Sequence, residues 1–294
     1  MNNRNKDIDI LRFIGLSLII LAHVHAPYTI MQIRCFDVPL MLFVSGLAYG
    51  NRETTASWRK FYLPRIKKLL IPAYLFVFCD LAAFAFTNRL PETSILLKTL
   101  FLCDDGAVGC IWIFKVFLLI MLVTPILTKI NRRMSYVSFL VLMFFLFLLQ
   151  GVLIWIMQFV TTAPWDAIYR ETLPYLTGYA IPFLLGLRLR NSDKRQENIT
   201  LLITTALFVT SFGLYYINHR AMVEPTPFYK YPPQSYFIIY GLFASAILWK
   251  LRNQLNFLTK SKTFVFIGQN TTWIYIWHIV FVTIANHLLD NWAL

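Results

Sequence analysis

Apolar runs close to the ~20-residue length that crosses a bilayer recur along the chain, at about 9–30, 35–50, 70–88, 110–128, 135–158, 172–187, 199–217, 234–249 and 265–289. Short polar links separate them. None, the polar connection at about 217–234 included, exceeds about twenty residues, too few for a soluble domain of its own. The pattern predicts an all-α, polytopic helical bundle of about nine to ten transmembrane helices, forming a single transmembrane domain over residues 1–294. The first run is too long, and too polar at its start, for a cleavable signal, and is expected to stay as a helix. A tenth helix would come from the amphipathic stretch 93–102 or from a break near 268.

Composition supports a lipid solvent. Of 294 residues, 58% are hydrophobic and only 14% charged, against roughly a quarter charged in soluble domains. A net charge of +13 would by itself suit a nucleic-acid partner, but its distribution argues otherwise. With the amino terminus cytoplasmic, the inner links hold 19 of the 27 Lys and Arg, and the outer links hold 6. That bias is the positive-inside rule, so membrane lipids and not nucleic acid are the expected partners. The link 51–68, NRETTASWRKFYLPRIKK, is basic, aromatic and amphipathic, which suits either the inner headgroup layer or a plain topology anchor. Cys103 and Cys110 share one outer loop, which makes a bridge between them conceivable; no metal-ligand spacing appears, so no metal is expected.

The candidate chemistry sits in the first run, DILRFIGLSLIILAHVHA. Arg12 and His23 are eleven residues apart, and eleven steps of ~100° return them to one helical face about three turns and ~16 Å apart. Ionisable groups at membrane depth are expensive and mark site candidates. The spacing suits an extended acyl carrier, with phosphates near Arg12, joined by Arg65 and Lys68, and a reactive end near His23. Coenzyme A has that shape. The competing explanations are that Arg12 snorkels to headgroups and that His23 is a hydrogen-bonded packing residue. His25 points ~200° away from His23 and is not expected to act on the same ligand.

Arg12 and His23, preceded by Asp9 and Leu11, resemble the amino-terminal signature of the acyltransferase 3 family of membrane O-acyltransferases. Further segments follow in family order: VPLMLFVSGLAYG, PRIKKLLIPAY, IWIFKVFLLIMLVTPIL, IPFLLGLRL and IGQNTTWIYIWHIVF. The resemblance covers nearly the whole chain. It departs in carrying Lys67 and Lys68 where arginine is usual, which weakens bidentate phosphate binding there.

The resemblance implies acyl transfer, usually acetyl from acetyl-CoA, to a hydroxyl of a surface polysaccharide or lipid-linked glycan at a bacterial inner membrane. It implies His23 as catalytic base and Arg12 as its partner at the acyl-CoA site. Trp112, Tyr275 and His278 would line the carbohydrate acceptor pocket, although an interfacial anchor for Trp112 and an interhelical hydrogen bond for the Tyr275–His278 pair explain them equally simply. Ser45 and Cys79 are weak candidates for an acyl-carrying nucleophile. The rival from another class is a transporter or flippase of a lipid-linked glycan or small solute, which would want acidic or paired charges at mid-membrane, where Asp80 is the clearest carboxylate.

Overall fold

The computed structural model describes residues 5–24, 26–50, 58–86, 90–108, 110–219 and 227–292. They form α1 (Lys6–Leu21), α2 (Tyr28–Ile33), α3 (Asp37–Tyr49), α4 (Trp58–Phe86), α5 (Thr93–Leu100), α6 (Trp112–Arg133), α7 (Tyr136–Ile156), α8 (Trp165–Leu189), α9 (Lys194–His219), α10 (Pro227–Lys230), α11 (Ser235–Lys250), α12 (Lys262–Gln269) and α13 (Thr271–Trp292). Among the described residues there is no strand, only an isolated bridge between Lys230 and Pro233. Among the described residues five helical segments are long and apolar enough to cross a membrane: Tyr28–Tyr49, Arg59–Phe86, Trp112–Arg133, Tyr136–Ile156 and Lys194–Ile217. The apolar helices Ser235–Lys250 and Thr271–Val282 are shorter.

Three boundaries differ from the sequence expectation, each for a local reason. The first run does not continue to residue 30. Helix α1 ends at Leu21, the His23 amide closes a tight turn on Ile20 at 2.9 Å, and Pro27 starts α2 without a backbone N–H to donate. The basic segment from residue 58 is no separate surface element, because Trp58–Phe86 runs as one 29-residue helix through Pro64 and Pro72; residues 51–57 lie outside the described residues. The last run is split at Asn270, whose amide closes α12 on Phe266 and Ile267 while its carbonyl receives the Ile274 amide of α13. Both places proposed for an extra helix therefore carry one, α5 and α12, each of 8 residues, well short of a span.

The chain divides into two compact units, residues 1–52 with 130–294, and residues 53–129. At the centre of the first unit lies α3, which packs on α8, α1 and α11. Its crossing with α8 is reciprocal. A Cβ on Gly46 would meet the Phe183 carbonyl oxygen at 2.0 Å, and one on Gly186 would meet the Phe43 carbonyl oxygen at 1.9 Å. Small residues let two backbones touch where lipid offers no hydrophobic drive for association. Helix α1 is gripped similarly by α12, where a Cβ on Gly268 would lie 1.9 Å from the Asp9 carbonyl oxygen. In the second unit the Tyr74 hydroxyl donates to the Leu100 carbonyl at 2.8 Å and the Tyr62 hydroxyl to that of Leu122 at 3.1 Å. All four cysteines are free thiols, so Cys103 and Cys110 are not bridged.

Candidate active site

The two ends of α1 carry two polar clusters. At its start, the Asn5 side chain accepts the Asp7 and Ile8 amides, which fixes the first turn. One turn in, Asp9 is fully buried. Its carboxylate receives the Arg12 guanidinium at 3.1 Å on one oxygen and the Gln269 amide at 3.2 Å on the other. A buried carboxylate needs such partners, and here they orient a guanidinium whose side chain remains 25% exposed. Asp9 is thus the residue that aims Arg12. Its i, i+3 spacing was the available signal, but its burial was not visible in the sequence.

A shallow crevice lined by Asp7, Ile10, Leu11, Arg252, Leu255 and Thr259 runs along the same part of α1. Arg252 pairs with Glu197 at 2.9 Å and stacks over Trp249 at 4.3 Å. Nothing in the spacing of residues singled it out beforehand.

At the other end, His23 follows the last turn of α1 and meets His278 of α13. The imidazoles lie edge to face with centroids 5.0 Å apart, and His23 Nδ1 is 3.3 Å from His278 Nε2. His23 Nδ1 is also 2.8 Å from the Ile19 carbonyl oxygen, and His278 Nδ1 contacts that of Tyr275. Carbonyls only accept, so both rings carry their proton on Nδ1 when neutral. His278 Nε2 is then an acceptor that can share the His23 Nδ1 proton. His23 keeps the lone pair of Nε2 for chemistry. Tyr275 is buried, its ring 5.3 Å from that of His278.

The sequence candidates therefore separate. The structure brings His23, His278 and Tyr275 together at one end of α1, and Arg12, Asp9 and Gln269 at the other. Arg65 and Lys68 lie on α4 in the second unit, where the Arg65 guanidinium donates to the Phe61 carbonyl and sits 4.1 Å from that ring's centre, while Lys68 is exposed. Trp112 opens α6 in the same unit and is only 4% exposed, enclosed rather than offered as a stacking platform. The Ser45 hydroxyl donates to the Met41 carbonyl at 2.9 Å, which commits its proton within the helix. His25 lies outside the described residues.

A charged cluster lies beside the His23 end. Asp37, at the start of α3, pairs with Arg34 at 2.6 Å and with Lys230 at 3.3 Å. Arg34 and Asp37 are three apart, a readable pair, but Lys230 arrives from 193 positions away.

Neither a curated protein nor a solved structure matches the chain. One family does: the acyltransferase domain of the acyltransferase 3 family matches residues 5–294. With that match across nearly all of its length, the chain belongs to the acyltransferase 3 family of membrane acyltransferases.

Proposed function

We propose that the protein transfers an acetyl group from acetyl-CoA to a hydroxyl of a sugar in a surface polysaccharide or lipid-linked glycan, at a bacterial inner membrane with its amino terminus cytoplasmic. The observation that carries this reading is the histidine pair at the far end of the helix whose near end holds Arg12 on Asp9. In this mechanism the phosphates of the donor lie near Arg12 and the thioester extends toward His23.

As the acceptor oxygen attacks the thioester carbonyl, its proton passes to His23 Nε2. The tetrahedral intermediate then expels the thiolate, which takes that proton and leaves as the free thiol. Oxygen gains the acetyl group and sulfur loses it, with no covalent enzyme intermediate. General-base help of this kind is worth ~10²–10⁴ in rate. His278, accepting from His23 Nδ1, keeps the lone pair of His23 on Nε2, while Tyr275 is proposed to line the acceptor side.

The test is label transfer from radiolabelled acetyl-CoA to a cell-envelope glycan extract by purified protein in nanodiscs. Wild-type protein is expected to transfer label, and His23→Ala and Arg12→Ala to lose it. Transfer that survives His23→Ala would overturn the base assignment.

A further inference from the structure

Between the end of α11 at Lys250 and the start of α13 at Thr271 the chain makes two short helical pieces, a 3-10 stretch over Gln254–Lys260 and α12 over Lys262–Gln269. Neither is long enough to cross a bilayer. One face of α12 is committed to α1. Phe264 stacks on Phe13 with ring centroids 4.4 Å apart, Gly268 admits the Asp9 backbone, and the Gln269 amide donates to the Asp9 carboxylate. Asp9 holds the Arg12 guanidinium, and Phe13 is the next residue along. Helix α12 is therefore the support on which the anchor of Arg12 rests.

The opposite face of this stretch mixes rings with cations. Phe257 and Phe266 are 64% and 61% exposed, and Leu251 and Trp273, at its two ends, are exposed as well. Lys260 and Lys262 are exposed among them, and Lys262 lies one turn from Phe266 on the same side of α12. Residues 250–273 include Lys250, Arg252, Lys260 and Lys262 and no Asp or Glu. Asn198 and Glu197 of α9 engage Lys250 and Arg252, which leaves Lys260 and Lys262 as the exposed cations of the stretch. A soluble anion would meet these lysines and leave the phenyl rings in water. A neutral bilayer would cover the rings and give the ammonium groups no counter-charge. An anionic amphiphile answers both.

We propose that Gln254–Gln269 is an interfacial surface for anionic phospholipid on the side of the membrane where α1 starts, with Phe257 and Phe266 below the headgroups and Lys260 and Lys262 on their phosphates. Lipid held there steadies α12 against α1, and with it the Gln269 contact that keeps Asp9 in place for Arg12. Its effect on the acyl donor, though not the lipid surface itself, rests on the reading of Arg12 as a donor contact.

The experiment is hydrogen–deuterium exchange of the backbone amides of residues 254–269 in the full-length protein, one copy per nanodisc, in phosphatidylcholine alone or with about one third phosphatidylglycerol, and without acyl donor. Exchange is expected to be roughly threefold or more slower with the anionic lipid, since each basic side chain near an anionic surface adds severalfold to the attraction. Lys260→Gln combined with Lys262→Gln should remove the difference between the two lipids, and the corresponding pair of arginine substitutions should keep it. Both lysines are exposed, so these changes leave the packing of α12 on α1 untouched.

Equal exchange in the two lipids would overturn the surface. Protection reproduced by inorganic phosphate in phosphatidylcholine discs would assign the lysines to a soluble anion instead, and protection that needs two copies per disc would assign the face to a second copy of the chain. Equilibrium binding of acetyl-CoA gives the second readout. In phosphatidylglycerol discs the double glutamine variant should bind it severalfold more weakly than wild type, and in phosphatidylcholine discs the two should agree. A loss of equal size in both lipids would show the lysines acting on the donor directly and would overturn the lipid-borne effect. Absence of acetyl-CoA binding by wild type in either lipid would count against the enzymatic reading, while the exchange rates still decide the surface.

Discussion

Replacing His278 tests how the site divides labour between its two histidines. The Nδ1 proton of His23 faces two acceptors, the Ile19 carbonyl oxygen at 2.8 Å and His278 Nε2 at 3.3 Å. The shorter contact belongs to the backbone and survives any substitution at 278. It holds the tautomer by itself, so His278 supplies only the weaker half of the restraint. A net hydrogen bond is worth about 0.5–1.5 kcal/mol, and the longer, shared contact belongs at the low to middle part of that range. His278→Phe keeps a ring against Tyr275 but removes the acceptor, and should lower kcat about threefold to tenfold while leaving the KM for acetyl-CoA unchanged. His278→Gln, which can place an oxygen near the lost nitrogen, should recover most of that loss. His23→Ala, by contrast, should remove the full ~10²–10⁴ of general-base help. The assay is steady-state acetyl transfer with donor and acceptor varied independently. If His278→Phe falls as far as His23→Ala, then His278 moves the proton itself and the assignment of roles is wrong; if it loses nothing, the contact is packing alone.

Other outcomes follow from contacts elsewhere. At the α3–α8 crossing, Gly46→Ala and Gly186→Ala must each push the backbones apart by about 1.4 Å to reach ordinary contact, at a cost of about 1–3 kcal/mol. One displacement accommodates both methyl groups, so the thermal midpoint of the double variant should lie close to those of the singles; additive losses would contradict the reciprocal geometry. Asp9→Asn leaves Arg12 without its charged anchor, and should raise the KM for acetyl-CoA about tenfold with a smaller effect on kcat, a loss of about 1.4 kcal/mol in donor binding. For Lys230, burial alone would lower the ammonium pKa, but Asp37 and Tyr231 overcome it and the net shift is upward. A raised lysine contributes its stability at every pH below its ordinary value of about 10.4 and loses it only as pH climbs through the elevated one. The difference in melting midpoint between wild type and Lys230→Gln should therefore hold constant from pH 7 to about 9.5; a decline beginning near pH 8 would reverse the sign.

How much of this was legible beforehand depends on the range of the interaction. The helical runs and the pair Arg12 and His23 are local patterns, and hydropathy with a 3.6-residue period displays them. The stop after Leu21 was also local, since Pro27 marks it, yet the apolar residues on either side masked the break. By contrast, the continuous helix through Pro64 and Pro72 went against the usual weight of proline. The long-range partners of the site residues were not readable. That His278 meets His23 rather than simply lining a pocket, and that Lys230 reaches Asp37, are consequences of packing across the first unit. A buried atom such as Asp9 Oδ1 becomes informative only once its neighbours are placed. A single sequence thus exposes which residues are costly to bury, and the fold alone says what they are held for.

The contacts at the two ends of α1 also bear on when the enzyme becomes an enzyme. One partner of Asp9 lies 260 positions further along the chain, and one of His23 lies 255 further. A helix is thus finished by helices made 255 to 260 positions later. During synthesis Asp9 and His23 are made long before Gln269 and His278, and a chain stopped before Gln269 has neither long-range contact. The alignment of Asp9 on Gln269 and of His23 on His278 therefore waits on the segment 269–278.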